Sequence, residues 1–199
     1  MKKKFYWELP EGYRLHLNLK LAEDRQSLII LTMAQLAVIA LLVAAGTMRT
    51  EFSSAFDLPF GQIAAGLGAM SFGLVVYILA HEWAHGMAIR FITGRQAEFG
   101  FELKKGMAYA SSTAYFGKAA YIFIALAPVV IWGVILWILG RDVDDHWFWY
   151  LYAVQIFNFS GAVGDFYVTW LTLKAPAGTI IRDYGTSMMF YAPAEHELQ

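Results

Sequence analysis

His81-Glu82-Trp83-Ala84-His85 is the segment of this 199-residue chain best equipped for chemistry. Residues four apart on an α-helix lie on one face, so His81 and His85 can present two imidazoles to a single divalent cation. Glu82 lies about 100° around the helix from His81 and reaches a water on that cation without ligating it. Two imidazoles and an adjacent carboxylate are the parts needed for metal-assisted hydrolysis. The cation lowers the pKa of the water toward neutrality, and Glu82 takes the proton as the water attacks a carbonyl. With only five His in the chain, an HExxH arises by chance in about 0.5% of sequences of this composition, so the spacing carries weight. Three ionisable residues within five positions of an apolar stretch are also costly unless they serve a site.

A catalytic zinc ion keeps three protein ligands and one open position. His16 and His196 lie in terminal segments, and the loop charges described below put His146 at the opposite membrane face. Asp165 is the better third ligand, as the lone charge between Trp147 and Leu173. At 1.5 Å per residue it lies roughly 13 Å from Lys174, and the HExxH centre lies a similar distance from Gly94. The competing reading of Asp165 is a polar contact between helices. Asn158 stands seven residues before Asp165, two turns away on the same face. Its amide suits either an oxyanion or substrate contact or a helix-to-helix hydrogen bond. Ser160, Gly161, Ala162 and Gly164 are small and permit close helix approach. Pro128 leaves the carbonyl four residues before it without its usual helical partner.

The elements that must position these residues follow from composition. The chain is 58% hydrophobic, 17% aromatic and 16% charged, with no cysteine, against roughly 25% charge in a soluble domain. Its mean hydropathy of +0.46 excludes a disordered chain, and the absence of cysteine excludes a disulfide scaffold. A net charge of −1 leaves no basic footprint for nucleic acid and sets no oligomeric state. The expected fold is an all-α integral membrane protein held in the lipid bilayer by about four transmembrane helices. The stretches are Ser27 to Met48, Phe60 through the motif to Phe91, Ala119 to Gly140, and Trp147 to Leu173. On that topology 13 Lys and Arg fall on one side and 2 on the other, so both termini are expected in the cytoplasm. The expected divisions are a surface-lying interfacial segment over residues 1–26, a membrane core over 27–174 and a cytoplasmic tail over 175–199. Alternation of Phe99, Phe101 and Leu103, resumed by Met107 and Tyr109 after Lys104-Lys105-Gly106, fits a short β-hairpin between the second and third helices.

A helix-embedded HEWAHG, a Leu126-Ala127-Pro128 step, and Asn158 followed by Gly164-Asp165 resemble the site-2 protease class of intramembrane zinc metalloproteases. The chain is more similar still to a small bacterial family of zincin-type membrane peptidases, which its Arg182-Asp183-Tyr184-Gly185 and Phe190-Tyr191 also resemble. The resemblance spans roughly residues 75 to 192. It implies zinc held by His81, His85 and Asp165, Glu82 as the base, and Asn158 in contact with substrate or oxyanion. It also implies a multi-pass protein of the bacterial cytoplasmic membrane, with its metal inside the bilayer and open to the cytoplasm. Its substrates are then membrane proteins or peptides cleaved in or near the membrane. Site-2 proteases usually place Gly after the third-ligand Asp and Pro between Asn and Asp. Here Phe166 follows Asp165, Gly164 precedes it, and no Pro intervenes.

Two other classes use the same residues: a membrane component that binds or transports a metal without hydrolysis, and an inactive adaptor that binds membrane segments. The complete HExxH speaks against the adaptor, which has no need of Glu82.

Overall fold

The computed structural model describes residues 4–20, 23–102, 107–185 and 187–194. Three of its helices are long and apolar enough to cross a bilayer: α1 (Arg25–Thr47), α2 (Phe60–Thr93) and α3 (Lys118–Gly140). Asp24 opens α1 by accepting the Ser27 backbone N–H at 2.9 Å and the Ser27 hydroxyl at 2.5 Å, which satisfies a helix N–H that otherwise has no partner. Gly94 closes α2. Its φ of +73° turns the chain out of the helix while its N–H still reaches the Arg90 carbonyl at 2.8 Å, a left-handed cap that favours glycine. Gly94→Ala is therefore expected to destabilise the protein by about 1 kcal/mol, read as a lower thermal midpoint in detergent. Large apolar side chains on these helices, among them Leu41, Phe72, Leu79 and Ile138, face outward, as lipid contact requires.

The fourth apolar stretch differs from expectation. It forms two helices, α4 (Asp145–Gly161) and α5 (Val163–Lys174), which break at Ala162. The cause is local: Gly161 and Gly164 flank the break, and each glycine costs a helix about 1 kcal/mol relative to alanine. Asn158 and Asp165 consequently do not share one continuous helical face. The break leaves Asp165 in the first turn of α5, where the exposed N–H groups of a helix start favour a negative charge.

The chain is also not purely helical. Five strands form one antiparallel sheet: β1 (Phe5–Tyr6), β2 (Tyr13–Leu19), β5 (Tyr115–Gly117), β6 (Ile180–Asp183) and β7 (Met188–Pro193), in the order β1-β5-β6-β7-β2. Strand β2 pairs with β7, Leu17 opposite Phe190 and Leu19 opposite Met188. Strand β6 joins β5 to β7, with Ile181 opposite both Phe116 and Phe190. Segments 1–26 and 175–199 thus meet in one sheet. In β2, Leu15, Leu17 and Leu19 alternate with Arg14, His16 and Asn18, the period of a strand with one apolar face. The expected hairpin is present as β3 (Glu98–Glu102) paired antiparallel with β4 (Met107–Ser111); its tip, with Leu103, Lys104, Lys105 and Gly106, lies outside the described residues.

Close packing divides the chain into two units. The first comprises Met1–Ile29, Glu82–Ala127 and Asp165–Gln199, and the second Ile30–His81 and Pro128–Gly164. Phe116, Tyr121, Ile124, Val168, Ile181 and Phe190 form the core of the first. The second is centred on Ala55, Phe148, Trp149 and Tyr150, with the Tyr150 hydroxyl donating to the Ala55 carbonyl at 2.7 Å.

Candidate metal centre

The histidines of HExxH lie one turn apart near the C-terminal end of α2. Ligand atoms of His81, His85 and Asp165 all fall within 4.8 Å of one another, and His85 Nε2 stands 3.5 Å from Asp165 Oδ1. Two ligands of a tetrahedral zinc ion, each about 2.0–2.2 Å from it, are about 3.4 Å apart. The donor set of two imidazole nitrogens and one carboxylate oxygen also suits zinc. Of the other histidines, His16 is on β2, His146 Nδ1 contacts the Ser54 carbonyl at 2.9 Å, and His196 lies outside the described residues.

Both imidazoles are held by their far nitrogens. His85 is only 9% exposed, and its Nδ1 meets the Ile124 carbonyl at 2.9 Å. A carbonyl only accepts, so Nδ1 carries the proton and Nε2 keeps its lone pair for a metal. Ile124 is the residue four before Pro128, which has no N–H to give it. The proline in α3 frees the carbonyl that orients His85.

His81 is fixed differently. Its Nδ1 lies 2.8 Å from the Tyr77 hydroxyl, which donates its one proton to Asn158 Oδ1 at 2.8 Å. The Tyr77 oxygen is therefore the acceptor for His81 Nδ1–H, which makes Nε2 the nitrogen a metal would take. Asn158 is completely buried. Its Nδ2 donates to the Val129 carbonyl at 3.2 Å and to Gln155 Oε1 at 3.4 Å, so both sides of its amide are engaged within the protein. Asn158 reaches the centre through Tyr77. Tyr77 escaped the sequence reading, although its position four residues before His81 on an apolar helix was a usable signal.

Glu82 lies beside His85 and Asp165. Its carboxyl interacts with His85, Asp165 and Asp183 and with the backbone N–H of Ala110 on β4. Asp183, part of the tail motif Arg182-Asp183-Tyr184-Gly185, is a further acidic group near the centre. Its Oδ2 accepts from the Tyr121 hydroxyl at 2.8 Å and its Oδ1 from the Gly185 N–H at 2.7 Å. Burial raises the Asp183 carboxyl above the usual carboxylate range, against the lowering effect of those two hydrogen bonds. The β3–β4 hairpin closes onto α2 at Gly86, where the Phe99 ring occupies the space a Cβ would need. Gly86→Val should push Phe99 off the helix, and faster hydrogen exchange of the β3 and β4 amides would report it.

The sequence model of one protein family, described as "Putative zincin peptidase", matches residues 74–180, more than half of the chain. The match takes in His81, Glu82, His85, Asn158 and Asp165 and ends before Asp183. No curated protein and no solved structure matches the chain.

Proposed function

The chain belongs to the family described as "Putative zincin peptidase", and we propose that it is an intramembrane zinc metalloprotease that hydrolyses peptide bonds of membrane-embedded or membrane-proximal substrates. Membership in the family points to metallopeptidase activity. The observation that carries the finer reading is the meeting of His81, His85 and Asp165 on or next to apolar, membrane-length α2, with Glu82 beside them. His81, His85 and Asp165 would hold the zinc. When bound, zinc acidifies a coordinated water and polarises the carbonyl under attack.

The remaining work falls to the chain. Glu82 accepts the proton of the attacking water and returns it to the leaving amine. Tyr77 and the Ile124 carbonyl keep the two imidazoles in one tautomer and orientation. The β3–β4 hairpin, adjoining Glu82 through Ala110, offers backbone donors and acceptors to an extended substrate strand. Strand pairing also explains how a membrane segment is presented for cleavage, since a helix buries its own peptide groups. The excess of Lys and Arg on one set of loops supports cytoplasmic termini and a site opening to the cytoplasm in a multi-pass protein of the cell membrane.

The test is metal content joined to cleavage. Purified protein should carry one zinc per chain by elemental analysis, and chelation should abolish hydrolysis of a membrane substrate with recovery on adding zinc. Protein that hydrolyses while free of metal would overturn the proposal. So would zinc-loaded protein that leaves every candidate substrate uncleaved in a co-expression screen while moving metal across vesicle membranes.

A further inference from the structure

We propose that a cavity in the second unit is a binding site for an anionic phospholipid. The cavity, of about 440 Å³, is enclosed by α1, α3 and α4 and lined by Arg49, Trp137, Arg141, Leu151, Tyr152 and Gln155 among others. Its depth in the membrane follows from its walls. Arg49 lies just past the end of α1, Arg141 just past the end of α3, and Phe148 in the first turn of α4. That is the level where spanning helices leave hydrocarbon, and where head groups and amphipathic rings such as Trp137 belong.

The two arginines account for the choice of ligand. Arg49 donates from Nη2 to the Val143 carbonyl at 2.8 Å and from Nη1 to the Gly140 carbonyl, and its guanidinium lies 4.4 Å from the centre of the Phe148 ring. It is thereby fixed in place with further N–H donors to spare. Arg141 lies over Trp137 at 5.5 Å and makes no side-chain hydrogen bond or ion pair among the described residues. Asp142, Asp144 and Asp145 are close in sequence, yet none lines the cavity, and Asp144 is occupied in capping α4 through the His146 N–H. Two guanidinium groups at the rim select a phosphodiester. The apolar wall of Ala45, Leu136, Phe148 and Leu151 takes glycerol and the first acyl carbons. The cavity is of ligand-binding size.

The site is tested with the full chain in an uncharged detergent, by native mass spectrometry and thermal midpoint, on adding phosphatidylglycerol, phosphatidylcholine or inorganic phosphate. Phosphatidylglycerol should be retained and raise the midpoint, while the zwitterionic lipid and millimolar phosphate do neither. Arg141→Gln should weaken phosphatidylglycerol binding about tenfold or more, the share of one hydrogen bond to a charged group. Leu136→Trp, which fills the cavity and keeps both arginines, should abolish binding; it decides the matter if Arg141→Gln fails to fold. Equal binding of the two lipids, or unchanged binding in Leu136→Trp, overturns the proposal. A midpoint shift from phosphate as large as that from the lipid makes this a simple anion site and overturns it too.

Discussion

Glu82→Gln is expected to lower turnover by about 10²–10⁴-fold, the usual contribution of a positioned general base, while the protein still binds one zinc. The two halves of that result have separate causes. The amide keeps the shape of the side chain and cannot accept a proton from water, so the chemical step loses its base. The group placed to hold a metal is His81, His85 and Asp165, without Glu82, so the metal is expected to stay. KM should change little, because the substitution removes an interaction made in the transition state. His81→Ala provides the contrast, losing metal and activity together. Elemental analysis and steady-state kinetics on the two variants separate the roles. Full activity in Glu82→Gln would remove it as the base, and loss of zinc in that variant would make it a ligand.

The meeting of His81 and His85 was legible in the sequence because it rests on local geometry. Four residues on a helix place His81 and His85 together whatever the remainder of the chain does. Asp165 was legible for a different reason: a lone carboxylate in an apolar stretch has few places to go. What escaped depended on contacts distant in sequence. The five-stranded sheet joins Leu17 to Phe190 and Phe5 to Phe116, pairings that no local pattern specifies. The alternation in β2 was visible, yet the charged and aromatic mixture around it resembles a surface segment equally well. The break at Ala162 was missed because Gly161 and Gly164 are compatible with either a continuous membrane helix or two shorter ones. Asn158 stood out in the sequence as either a substrate or oxyanion contact or a helix-to-helix hydrogen bond. Its partners were not predictable, since they depend on Tyr77 lying within 2.8 Å, 81 residues away in sequence.

Those partners lead to the second large effect. Tyr77→Phe should weaken zinc binding by about 10–100-fold, the range seen when the group that orients a ligating histidine is removed. The ring itself is expected to stay, since it packs edge-on against both His81 and Phe157, with centroids 5.7 and 5.8 Å away. Only the hydroxyl is lost. His81 Nδ1–H then loses the acceptor that the Tyr77 hydroxyl supplies, and the buried Asn158 oxygen loses its donor, at a cost of about 1–3 kcal/mol in stability. Affinity measured by competition with a chelator distinguishes this from a general loosening of the fold, which would lower the thermal midpoint of metal-free protein without weakening zinc selectively. Pro128→Ala provides the matching test on His85. Alanine restores an N–H four residues after Ile124, and that N–H competes for the carbonyl that now takes His85 Nδ1. Because a carbonyl oxygen has two lone pairs, it can serve both donors, so the loss of affinity should be smaller than for Tyr77→Phe. If the two supports act separately, the double variant should show the product of the single effects. Wild-type zinc affinity in Tyr77→Phe would mean that His81 is held by its helix alone and that the Tyr77–Asn158 pair serves packing rather than the metal.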